Sequence, residues 1–398
     1  MSIGSEHWRR YALGGAGGMF VAMGLGRFSY TTMVPALVTH GRLDAVSAGQ
    51  VGTVNLAGFL LGALVAVPAW RLLGRERLLK ASLVLALAGL AASGVANTFL
   101  WLAAWRGLIG FGTALIMVHS LALIAETAPA DRRAEAASYV FAGVGFGIFA
   151  AGILVPRLLA YGLAPCWWGL FAAAGPGAAL AVWGWSRAPQ VHADPAPGIR
   201  GSDTPRPSRA LRPVILAHAL FSIGIAPHSI YWMDFLERGL GYDRATAGLH
   251  WSLVGVFAAL GPFLTAALAR SLGTARALPI ALALLGLGVA APALLTSAIV
   301  LYLSTAIFGA QPGPSSLMAA RARDLGDPAQ MSRVMRQMIL SASLGGLAGG
   351  MLAPWIVGLS GAHGPAFLVG GLAILLGAVI VVPGVWDRQA RRTPSPAP

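Results

Sequence analysis

Twelve apolar runs, each long enough to cross a lipid bilayer, follow one another along this chain of 398 residues. A hydrocarbon core about 30 Å thick takes roughly 20 residues of helix. The runs lie near 11–39, 47–69, 78–97, 100–125, 134–160, 165–186, 213–236, 246–269, 275–296, 299–320, 332–358 and 363–386. Lipid offers the backbone no hydrogen-bond partners, so each run has to close its own bonds as a helix. The expected fold class is an all-α membrane protein of twelve transmembrane helices. Composition agrees: 57% of residues are hydrophobic and 11% charged, where a soluble domain is about a quarter charged. The first run follows "HWRR" and is too long for the apolar core of a cleavable signal.

The formal net charge of +14 does not point to nucleic acid, because its distribution is that of a membrane protein. With an even number of helices and both termini in the cytoplasm, 22 of the 28 basic residues fall in cytoplasmic segments and 4 outside. Arg27 and Arg106 remain, both inside membrane runs. The single cysteine, Cys166, excludes an internal disulfide and a cysteine-based metal centre. There is no G-x-x-x-x-G-K-S/T phosphate loop, no H-E-x-x-H, and no His/Asp/Glu cluster at metal spacing. No cofactor, metal or enzymatic activity is expected; the expected partners are a small-molecule substrate and the bilayer, with the chain as a monomer.

The stretch from 186 to 213, "SRAPQVHADPAPGIRGSDTPRPSRALRP", is too polar and proline-rich to bury a core and reads as a cytoplasmic linker. It divides the chain into 1–186, 187–212 and 213–398. The two halves repeat. "RLLGRER" at Arg71–Arg77 returns as "RSLGTAR" at Arg270–Arg276, a shift of 199 residues. Asp44, Gly49, Gly62 and Gly110 return at that shift as Asp243, Gly248, Gly261 and Gly309; Gly147, Gly152 and Pro156 return, shifted by 198, as Gly345, Gly350 and Pro354. Two parallel six-helix repeats around a site near the bilayer midplane describe a common secondary-transporter plan.

Arg27 lies near mid-depth of the first run. A charged residue there costs about 2.5–3.5 kcal/mol even on the mild insertion scale, so it is expected to face a cavity between the halves and to attract an anion. Phe20, Arg27 and Tyr30 recur in spacing as Phe221, His228 and Tyr231, which predicts that Arg27 and His228 flank that cavity as counterparts. Tyr30, Asn55, Arg106, Tyr231 and Gln311 complete the expected substrate-binding set. His228, Asp234 and His119 are the expected proton carriers: histidine titrates near neutral pH, and Asp234 follows closely after His228 in "PHSIYWMD".

"RGLIGFG" at Arg106, Gly110 and Gly112, the glycine run ending at Pro156, and the basic loop with Arg71, Gly74, Arg75 and Arg77 together resemble the major facilitator superfamily over essentially the whole chain. "GLGRFSYTTMVPAL" with "NLAGFLLGAL" is similar, more narrowly, to its YbfB/YjiJ family. The resemblance implies two pseudo-symmetric six-helix bundles and alternating access, in the inner membrane of a bacterium. Two substrate classes stay open: a small organic anion with proton coupling, suggested by Arg27 and the scarcity of embedded acids, and hydrophobic compounds expelled in exchange for protons, suggested by the resemblance in the fifth helix.

Overall fold

In the computed structural model, residues 7–129, 132–186, 188, 210–326 and 331–382 are described. Twelve helical segments cross the bundle in chain order: α1 (8–39), α2 (Ala45–Leu73), α3 (Arg75–Ser93), α4 (Phe99–Thr127), α5 (Arg133–Leu158), α6 (Leu163–Trp185), α7 (Arg212–Gly239), α8 (Arg244–Leu272), α9 (Thr274–Ala293), α10 (298–325), α11 (Met331–Ser360) and α12 (Gly364–Val381). Nine contain an uninterrupted apolar stretch that can cross a membrane. The other three depart from that pattern for visible reasons. Helix α1 is wound as a π-helix over Phe20–Phe28, α3 opens on the charges of Arg75, Glu76, Arg77 and Lys80, and α10 is broken at Ala310 and Gln311 ahead of Pro312. Most of the linker, 187 and 189–209, lies outside the described residues.

The sequence repeat is a repeat of local devices. Asp44 and Asp243 cap α2 and α8, accepting from the backbone N–H of Ser47 (2.8 Å) and Thr246 (3.0 Å) and from the hydroxyls of the same residues. Gly74 and Gly273, the glycines of the R-x-L-G frame, end those helices at φ +74° and +76°, a conformation that only glycine adopts without strain. The α2–α4 crossing is rebuilt as α8–α10: a Cβ on Gly62 would strike the carbonyl of Phe111, and one on Gly261 that of Ala310.

Between the halves, α5 packs on α8 and α11 on α2, and the two contacts are related by the same shift. Gly152 lies against Gly248 and Ser252; Gly350 lies against Thr53, while Gly49 meets Pro354 as Gly248 meets Pro156. Thr53 donates to the carbonyl of Gly350, Ser252 to that of Phe149 (3.2 Å), and Tyr231 to that of Ala45 (2.8 Å). These partners lie towards the end of the bundle where α1 turns into α2 and α7 into α8. The halves are drawn together there. Apolar side chains such as Leu100 (78% exposed) and Leu284 (53%) cover the outside, as a chain solvated by lipid requires.

Candidate functional site

The π-wound turn of α1 creates the site. Such a turn widens the helix and leaves carbonyls without their usual donors. Glycines allow neighbours close enough to serve them: a Cβ on Gly24 would sit 2.5 Å from Cα of Gly147 on α5. Thr113 of α4 donates to Ala22 O at 3.1 Å, and Ser29 to Leu25 O. Arg106 donates through Nη1 to Gly26 O at 2.6 Å and through Nη2 to Ser93 Oγ at 2.9 Å. Its guanidinium lies 5.6 Å from the centre of the Tyr30 ring and 5.0 Å from that of Trp167. Asn55 of α2 donates to Arg106 O at 2.7 Å. Arg106 is 1% exposed and ties α1 to α3 and α4.

Arg27 sits beside this anchor with a different fate. Its guanidinium lies near the rings of Phe28 (5.1 Å) and Phe59 (5.8 Å) and forms no hydrogen bond or ion pair among the described residues. It is only partly buried. It lines a cavity whose wall includes Thr31 of α1, Asn55 of α2, Arg106 of α4 and, from the other half, Ser229 and Ile230 of α7. Thr31 donates to the carbonyl of Ser229 at 2.5 Å and joins the halves beside the cavity. The space free to the centre of a water molecule is about 30 Å³, enough for one or two waters and well short of a typical ligand pocket.

The structure therefore brings Arg27, Tyr30, Asn55 and Arg106 together and leaves the other expected residues apart. Tyr30 donates to Ala48 O at 2.8 Å while also lining the cavity. The expected pairing of Arg27 with His228 across the cavity is not what the helices do. His228 is fully buried inside its own half, stacked on Trp232 at 4.7 Å and against Phe367 at 4.4 Å, with Nε2 3.2 Å from Ser304 Oγ. The shared spacing is not a shared facing: α1 is π-wound over Phe20–Phe28 while α7 is α-helical over Phe221–Ser229, and the shift of 201 between Arg27 and His228 differs by two from the 199 that relates the caps Asp44 and Asp243. Tyr231 departs from the cavity too; its hydroxyl is the one that holds Ala45.

Asp234 is fully buried, paired with Arg238 at 2.9 Å and with His363, the residue before α12, at 2.8 Å. It sits at the closed end rather than in the cavity. His119 packs between α2 and α4, with Nε2 3.0 Å from Ala66 O and Trp70 beside it. Gln311 marks the break in α10 and is not among the residues lining the cavity. Sequence reasoning missed Thr31, Ser229 and His363. Hydroxyls on apolar helices carry no pattern, and His363 stands 129 residues from its carboxylate.

Twelve helices in two like sets, closed on each other at one end around a small cavity that Arg27 lines, define a membrane transporter of the major facilitator type. The chain belongs to the family described as "Uncharacterised MFS-type transporter YbfB", whose model matches residues 19–382. No curated protein matches it. Among solved structures it is similar to the xylose transporter XylE from E. coli in an inward open conformation, at 16% identity, with 94% of each chain covered and a TM-score of 0.73. It is similar also to a POT family transporter in complex with 5-aminolevulinic acid, at 15% identity over 94% of this chain and 97% of that one, with a TM-score of 0.73. A D-xylose-proton symporter matches at 18% identity over 96% and 97%, with a TM-score of 0.70. At these identities the likeness is one of fold.

Proposed function

We propose that this protein is a secondary transporter that carries a small organic anion by alternating access, with Arg27 as the seat of the anion. The observation that carries the reading is the contrast between two neighbouring arginines. Arg106 is engaged by Gly26 and Ser93, whereas Arg27 presents an unpaired charge to a cavity walled by both halves. A membrane-embedded cation without a partner is costly and, as a rule, functional.

The halves are assigned to 1–186 and 213–398, joined by 187–212. The excess of basic residues in alternate loops supports an orientation with both termini in the cytoplasm, and the family resemblance supports the inner membrane of a bacterium. The closed end then faces outward, and this conformation faces inward. Proton coupling is assigned to Asp234 and His363. The pair lies beside the interface, with the Tyr231 ring 5.4 Å from that of His363 and the Tyr231 hydroxyl on Ala45 O.

A ligand-stability screen of the purified protein tests the anion reading. A ligand at a hundred times its dissociation constant stabilises the folded state by about 2.7 kcal/mol. Small carboxylates are expected to raise the melting temperature. Stabilisation by lipophilic cations such as tetraphenylphosphonium, and not by carboxylates, would replace this reading with export of hydrophobic compounds.

A further inference from the structure

The cavity wall holds more information than one charge. Asn55 is 3% exposed, lines the cavity, and has an Oδ1 with no donor. Its orientation is fixed, because Nδ2 donates to Arg106 O; turning the amide over would set two oxygens against each other. Arg106 also lines the cavity, and its Nε is buried without an acceptor among the described residues. Buried polar groups are ordinarily paired, and each exception calls for an explanation. Two residues that line the cavity thus each carry a buried polar atom without a partner among the described residues, an acceptor at Asn55 Oδ1 and a donor at Arg106 Nε, beside the unpaired guanidinium of Arg27.

A plain carboxylate answers Arg27 and leaves Asn55 Oδ1 unanswered, since it has nothing to donate. An ammonium could donate to Asn55 but cannot accept, and it would enter a site that holds two guanidinium groups and is lined by no carboxylate. A hydroxyl does both, donating and accepting through one oxygen. Resting on the anion reading above, we infer that the substrate is a hydroxylated carboxylate, its acid on Arg27 and a hydroxyl on Asn55. The orphan groups are then the specificity determinants: a site built to pair a substrate hydroxyl discriminates strongly against the analogue without one, which strands the site's own polar atoms.

The test uses the full-length purified protein and acids matched in length: lactate with propionate, malate with succinate, and gluconate with hexanoate, together with alanine as the amino analogue of lactate. Thermal-shift titration gives an affinity for each. In at least one pair the hydroxylated member is expected to bind about 10-fold tighter or more. Asn55→Ala is expected to reduce that ratio to near one. Because the substitution also removes the bond to Arg106 O and could impair folding, the wild-type pairs stand as an independent measurement. Equal binding within every pair overturns the hydroxyl inference and leaves the anion reading intact. Tighter binding of alanine than lactate also overturns it. Failure of all six acids to bind overturns both.

Discussion

Arg27→Ala is expected to make the protein more resistant to heat and at the same time unable to respond to organic anions. The two effects have one cause. The guanidinium has no hydrogen-bond or ion-pair partner among the described residues, and a charge at helix centre costs about 2.5–3.5 kcal/mol on the insertion scale. The side chain is partly exposed to the cavity, which relieves part of that cost, so a gain of about 1–2 kcal/mol is expected, or a rise of a few degrees in melting temperature. The anion loses charge-assisted bonds worth about 1.5–3 kcal/mol each, so its affinity falls by roughly 10- to 100-fold or more. Arg106→Ala is expected to act in the opposite direction on stability. It strands Gly26 O in the widened turn of α1 and empties the space between the Tyr30 and Trp167 rings, and an orphaned buried acceptor alone costs about 1–3 kcal/mol. Melting curves of the two variants, with and without a binding carboxylate, check the pair. A drop in stability for Arg27→Ala would mean that its charge is paired in the resting protein.

Gly152→Val is expected to abolish turnover while leaving the anion site occupied in binding assays. A Cβ at Gly152 would sit 2.6 Å from the backbone nitrogen of Ser252, with the carbonyl of Gly248 closer still. These are main-chain atoms of α8 and cannot swing away as a flexible side chain would. The added side chain forces α5 and α8 apart at the closed end, and alternating access fails because one of its two states can no longer form. If the halves move as units, the opening reaches the symmetry-related contact of α2 with α11. Gly358 lies there, and a Cβ added to it would sit 3.1 Å from Val46 Cγ2, so cysteines at the two positions would be neighbours. A Val46→Cys/Gly358→Cys pair is expected to cross-link readily in the otherwise native chain and poorly once Gly152→Val is added. Unchanged cross-linking would show that α5 and α8 yield locally.

The architecture was legible in the sequence because lipid imposes its own ruler. Runs of fixed length and alternating basic loops predict twelve helices without any packing argument. The repeat was legible for a similarly local reason: Asp44 and Asp243 are caps, and Gly74 and Gly273 occupy a left-handed conformation, so each is fixed by its own turn. The site was legible only where a cost was visible. Arg27 stands out as a charge among apolar residues, and the structure places it in the cavity. His228 stands out equally and lies in a core of aromatic rings. One difference is the π-wound turn over "FVAMGLGRF", which has no signature beyond its glycines and is held open by Arg106 from another helix. Asp234 could be singled out as an acid, but its attachment to His363 depends on how α7 meets α12, which no local pattern encodes.

An anion seat at Arg27 requires position 27 to be open to water shared by the two halves. With Cys166 replaced by alanine, Arg27→Cys gives a single reporter thiol, and Leu284→Cys on the outer face of α9 supplies a lipid-facing comparison. Methanethiosulfonates react with the thiolate, which forms in water and hardly at all in hydrocarbon. A small anionic methanethiosulfonate is expected to label the thiol at 27 at least about 10-fold faster than the thiol at 284. Labelling at 27 as slow as at 284 would place that side chain in a dry or lipid-facing position and contradict the account.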